Sequence, residues 1–168
     1  MWPFGKKINF PWFKKDNQET STFELTEEEK LAVQKQFDFF KRPGEAFVVK
    51  KEVADETNRG ITAQALFHYA TFQITLSGFD SNKNNRKEFI DKAIASIAKA
   101  YSFCPLPIFM YDLACFIEMN GRVEEAKGVF KSFLDLQKNF KPNQMQGIFL
   151  TTLGRDIDEA IKDAESHS

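Results

Sequence analysis

The sequence predicts an all-α protein built of antiparallel helical hairpins. Three observations carry this. Apolar residues recur at helical spacing in successive segments after residue 25. Turn residues (Pro43-Gly44, Gly78, Asn120-Gly121, Gly154) separate those segments. Alanines at 93, 126 and 160 stand early in the second helix of each of three hairpins, separated by 33 and 34 residues. A fixed period of that length marks repeated helical units, and a small residue at the repeated position lets two helices approach closely.

The first 22 residues are predicted to be irregular, because Pro3, Gly5 and Pro11 block a long helix. The single domain then runs over 23–168. Its first helix, 26–41, opens on a capping box of Thr26 and Glu29 and carries Val33, Phe37 and Phe40. Residues 45–60 are ambiguous. Ala46 to Val49 reads as a strand, but a lone strand has no partner, so an irregular or short helical link is preferred. From Ile61 a stripe of Ala65, Leu66, Tyr69, Phe72 and Leu76 defines a helix ending near Ser77-Gly78. The polar loop 80–85 follows, with Asn84 or Asn85 as the cap of the next helix. That helix carries Ile90, Ala93, Ile94, Ile97 and Ala100 and stops before Pro105. Residues 108–119 are apolar almost all round, with only Asp112 and Glu118 charged, which suits a helix covered on both sides. Val123 to Leu134 gives the next stripe, Pro142 starts a helix to Leu153, and 155–165 completes the chain. The hairpins fall at about 61–103, 106–140 and 142–166.

At 168 residues the chain has room for one domain with a core, and 42% hydrophobic with 28% charged residues places it among globular proteins. A formal net charge of -1 argues against binding that relies on neutralising nucleic-acid phosphates. The 19 phenylalanines suit a thin helical array, since each ring buries a large area. No run of about 18 apolar residues is present, so no membrane span is expected. The start lacks the apolar core and cleavage site of a signal peptide, so a cytoplasmic protein is predicted. Cys104 and Cys115 read as buried reduced thiols, and with only His68 and His167 beside them no zinc pattern forms.

The text around the last two alanines echoes itself: Gly121-Arg122-Val123-Glu124-Glu125-Ala126, and Gly154-Arg155-Asp156-Ile157-Asp158-Glu159-Ala160. This period resembles the tetratricopeptide repeat family. In the middle unit Leu113-Ala114 stands where the family has Leu-Gly, Ile117 where it has an aromatic, Gly121 at the turn, and Ala126 with Phe130 as the second-helix Ala-x3-Phe. Ala93, Ile97, Ala100 and Pro105 fall at the family's spacings in the first unit. The departures are a long first turn (Ala70 to Ala93), Phe133 for a small residue, a late Pro142, and a weak first helix in the last unit. The resemblance covers about residues 61–165 and implies a short right-handed superhelix of about six to eight helices, capped at one end by helix 26–41.

The resemblance also implies a groove lined by the first helices, taking an extended or helical peptide. Its lining would be Gln64, Phe67, His68 and Thr71; then Ile108, Tyr111, Asp112, Cys115 and Met119; then Met145, Gln146 and Phe149. Family members that grip a C-terminal carboxylate use Lys, Asn and Arg at such positions. These are lacking here, so a hydrophobic peptide is the expected ligand. The same side chains equally read as core. The implied function is a non-catalytic scaffold or adaptor without a cofactor. His68 has no Cys, Asp or Glu one turn away, Gly121 and Gly154 are single turn glycines, and Lys83, Arg86 and Lys87 read as a solvated loop. Small secretion chaperones share the length and hairpin count, a likeness of architecture only.

Residues 1–15 hold five aromatics (Trp2, Phe4, Phe10, Trp12, Phe13), four lysines (among them Lys6 and Lys7) and no acid. Aromatic rings interleaved with Lys suit a membrane interface, at about 1 kcal/mol per lysine near an anionic leaflet. Three readings stand side by side: the segment folds back onto the helices, it contacts a partner or the inner face of the membrane, or it is a free tail.

Overall fold

The computed structural model describes residues 24–40 and 51–168. They form seven α-helices: α1 (Glu27–Phe40), α2 (Lys51–Ser77), α3 (Arg86–Phe103), α4 (Pro107–Met119), α5 (Val123–Lys138), α6 (Gln144–Leu153) and α7 (Ile157–His167). A 3-10 turn over Asp80–Asn85 joins α2 to α3, and the described residues contain no strand. The expected all-helical class is what is found.

Local chemistry sets the helix ends. Thr26 and Glu29 close the expected capping box: the Glu29 N–H donates to Thr26 Oγ1 at 3.1 Å, and the Thr26 N–H donates to Glu29 Oε2 at 2.8 Å. Asn85 is the N-cap of α3 by position, but its side chain accepts no capping hydrogen bond, because the 3-10 turn runs directly into the helix. Pro107 starts α4, where its missing N–H costs nothing. Helix α6 begins at Gln144, two residues later than Pro142 suggests, because Asn143 and Gln146 make a second capping box at 2.8 and 3.0 Å. Gly121 and Gly154 take left-handed φ of 80° and 62°, so both turn glycines sit where a Cβ is penalised.

One element is longer than the sequence suggests. Helix α2 starts at Lys51, so residues 51–60, expected as a link, are its first turns. Thr57, Asn58 and Gly60 are weak helix formers and conceal it. Residues 45–50 lie outside the described residues.

Helix α2 packs most extensively on α3, and α4 on α5; α3 joins the two hairpins by packing on α4, and α1 lies on α2. Helix α4 runs through the middle, with Pro107, Ile108, Phe109, Met110, Asp112, Leu113, Ala114, Phe116 and Ile117 buried. Ala93, Ala126 and Ala160 are all buried in the same core, beside Phe109, Phe130 and Phe133. Fully burying a phenylalanine contributes about 1.5–3 kcal/mol, so these three rings are a large share of the core's stabilisation. The last two helices diverge: α7 packs on α5 and α4, whereas α6 reaches back to α2. In regular stacking each hairpin touches only its neighbours. Here the pair of helices expected as a third hairpin does not pack as one: α6 lies on α2, while α7 lies on α5 and α4.

Candidate functional site

The divergence of α6 and α7 brings their connecting corner onto the face of α2 and α4. Three polar and one apolar attachment hold the crossing. Asn143 Nδ2 donates to Glu56 Oε1 at 2.6 Å. Gln64, midway along α2, accepts from Gln36 of α1 and donates to Thr152 Oγ1 of α6, each at 3.3 Å. Phe149 is the single buried residue of α6, and its ring lies directly over Gly60, where a Cβ would stand 1.9 Å from Phe149 Cε2. Gly60 is thus the notch that seats Phe149. At the corner, Arg155 Nη1 donates to Asp112 Oδ1 at 2.6 Å.

Arg155 enters a ready-made environment. Its guanidinium carbon lies 6.0 Å from the centroid of the Phe67 ring and 5.8 Å from that of Tyr111, which is cation–π distance. Asp112 is 3% exposed, and its second oxygen, Oδ2, has no hydrogen-bond partner among the described residues. Burial pushes the Asp112 carboxyl up to about 6, and the neighbouring Arg155 guanidinium only partly offsets it. Tyr111 O–H donates to Asp163 Oδ2 of α7 at 2.8 Å, and burial together with that acceptor raises the phenol well above its usual range. Beside it, burial pushes the Cys115 thiol up to about 12, which leaves it an unreactive thiol at neutral pH. Cys104 is pushed up to about 11 by the same cause.

Of the residues expected to line a groove, the structure brings Phe67, Tyr111 and Asp112 together around Arg155. Phe67, Ile108, Asp112, Phe149 and Gln64 are buried, so their side chains as they stand are covered by this chain itself. Phe67 meets Phe109 at 5.8 Å between centroids. Thr71 and Met145 are half-buried, and Gln146 is used as the capping partner of Asn143. His68 and Met119 are exposed; the His68 ring stands edge-on to Phe67 at 5.4 Å, and partial burial holds its pKa below the ordinary value. Trp2, Phe4, Lys6, Lys7, Trp12 and Phe13 lie outside the described residues.

Sequence reasoning missed Arg155, Gly60 and Asp163. A signal for Arg155 lay in the echo of the two Gly-Arg turns. In the first, Arg122 forms two 2.5 Å hydrogen bonds with Glu125 three residues on. In the second, Asp158 stands three residues on, yet Arg155 turns inward to Asp112.

Among the described residues no group of three His, Cys, Asp or Glu is arranged to hold a metal ion, and no helix is long and apolar enough to cross a membrane. These features define an all-helical protein whose distinctive site is an aromatic-acidic face gripping an arginine. Compared with known proteins, the chain matches no family model, no curated protein and no solved structure.

Proposed function

We propose that the chain is a non-catalytic scaffold that holds a protein or peptide partner in the cytoplasm, using the face formed by α2 and α4. The observation that carries this reading is α6 itself. A ten-residue helix with one buried aromatic is seated across α2 by a ring in a glycine notch and by side-chain hydrogen bonds. Recognition of short helices uses these elements: an aromatic anchor in a pocket and a few fixed polar contacts. The burial of Ala93, Ala126 and Ala160 and the left-handed Gly121 and Gly154 support the further likeness to tetratricopeptide hairpins. The alternative reading, adhesion to the membrane through residues 1–15, lies outside the described residues, and a role as a secretion chaperone rests on length and hairpin count alone.

Site-specific crosslinking tests it. A benzophenone amino acid replaces His68, exposed beside this face, or Lys127, exposed on α5. The expected result on irradiation in native extract is a discrete protein adduct from position 68 and none from 127. Equal adducts at both positions, or none at 68, would remove the assignment of this face.

A further inference from the structure

The α2–α4 face holds more than an apolar seat. Phe67 and Tyr111 present their rings, and Asp112 its carboxylate, to one guanidinium. Arginine forks normally satisfy both oxygens of a carboxylate. Here the contact is made through Nη1 to Oδ1, and Oδ2 stays buried with no hydrogen-bond partner among the described residues. A buried carboxylate oxygen without a donor is costly, so this receptor is incompletely satisfied by its resident arginine. The arginine also sits on a segment with few buried anchors of its own. It follows the left-handed Gly154, its side chain is 28% exposed, and the helix before it has Phe149 as its one buried residue.

We infer that residues 143–156 act as an internal ligand: Arg155 occupies an arginine-recognition site made by Phe67, Tyr111 and Asp112, and a partner segment presenting its own arginine displaces it. The inference rests on the scaffold reading and adds the partner's chemistry and a built-in competition. The partner's guanidinium stacks between the two rings and donates to both oxygens of Asp112, making the bond that the tethered Arg155 leaves unmade. An incoming segment competes against a tethered one, whose effective concentration is in the millimolar range for a short connection. Binding is therefore weak until the crossing loosens.

The probe is a synthetic peptide with the sequence of residues 143–156, acetylated and amidated, carrying a fluorescent label. Its control has citrulline at the position of Arg155, a neutral group of nearly the same shape. Both are titrated by fluorescence anisotropy against the wild-type chain, Arg155→Ala, Phe149→Ala/Arg155→Ala, and Arg155→Ala/Asp112→Asn. Far-UV circular dichroism monitors folding, and should Phe149→Ala/Arg155→Ala fail to fold, Arg155→Ala alone decides. The arginine peptide is expected to bind Arg155→Ala and Phe149→Ala/Arg155→Ala at least tenfold more tightly than wild type. Citrulline and Asp112→Asn are each expected to cost at least tenfold. If the citrulline peptide binds as well as the arginine peptide, the arginine site is overturned while a peptide-holding face survives. If neither peptide binds any variant, both readings fall.

Discussion

Glu29 of α1 and Lys99 of α3 form a 2.7 Å ion pair that is almost closed to solvent, with 2% of the Glu29 side chain and 12% of the Lys99 side chain exposed. The same carboxylate accepts from Ser96 Oγ at 2.5 Å and from the Thr26 N–H at 2.8 Å. One side chain thus caps α1 and fastens it to α3. Removing one partner of a buried pair leaves an uncompensated charge, a cost of about 3–5 kcal/mol, whereas replacing both by apolar groups of similar volume is often nearly neutral.

Lys99→Met is therefore expected to lower unfolding stability by about 3 kcal/mol or more at pH 7, read by urea titration. Lys99→Met/Glu29→Met is expected to recover part of that loss but not all, since the capping box goes with Glu29 and is worth about 1 kcal/mol. A double variant no more stable than Lys99→Met would show that an unpaired Glu29 costs no more than its cap contributes.

Gly60 and Phe149 give a second coupled pair. Alanine is favoured over glycine inside a helix by about 1 kcal/mol, so Gly60→Ala alone would stabilise α2 if space allowed. Space does not allow it, because the new Cβ falls 1.9 Å from Phe149 Cε2. Gly60→Ala is expected to destabilise by about 1–3 kcal/mol through overpacking. In the Phe149→Ala background the same change is expected to stabilise. The sign reversal in a double-mutant cycle is the measurement. Additive effects would place the Phe149 ring elsewhere.

Much of this architecture was legible in the residues, and the parts that were not share one cause. The Thr26–Glu29 box, the turn glycines at 121 and 154 and the buried alanines are local signals, set by backbone sterics and by period, and all are found. The first turns of α2 were hidden because Thr57, Asn58 and Gly60 oppose helix by propensity, and Gly60 is there to admit Phe149 from a helix far away in sequence. Arg155–Asp112, Tyr111–Asp163 and Lys99–Glu29 are long-range pairs of the same kind. No periodicity announces which of several exposed-looking charges will be drawn inward. That α6 and α7 part to pack on different hairpins decides the partners of Arg155, and nothing in the 33- and 34-residue spacing foretells it.

His167 closes α7 with its ring 5.2 Å from the Phe130 centroid and its Nδ1 2.9 Å from the Asp163 carbonyl oxygen. The Asp163 carbonyl, and then the Glu118 and Asp163 carboxylates, raise its pKa above the ordinary 6.5. A histidine with a raised folded-state pKa contributes stability that is complete below the ordinary value and lost as pH rises through the folded one. The His167 ring protons are expected to titrate by NMR with a midpoint above that of His68, whose pKa is shifted the other way. Glu118→Gln should bring the His167 midpoint down. A His167 midpoint below that of His68 would contradict the contact geometry.

Asp112 tests whether burial or its ion pair governs the corner. Its carboxyl is pushed from an ordinary 3.8 up to about 6, with burial outweighing Arg155. A carboxyl whose folded pKa is raised binds its proton more tightly in the folded chain. Its contribution to stability is therefore complete below pH 4, declines as pH rises to about 6, and is constant above that. A shift of this size corresponds to on the order of 2–3 kcal/mol between the two limits. Asp112→Asn cannot titrate, so the stability difference between wild type and variant is expected to move against wild type by that amount between pH 4 and 6.5. Chemical denaturation at half-unit pH steps measures it, and Arg155→Ala should push the wild-type decline to still higher pH, because the one group that favours the charged carboxylate is gone. If the difference instead stays nearly flat from pH 4 to 6.5 and moves against wild type only as pH falls below about 4, the 2.6 Å pair with Arg155 dominates and the carboxyl lies below its ordinary value.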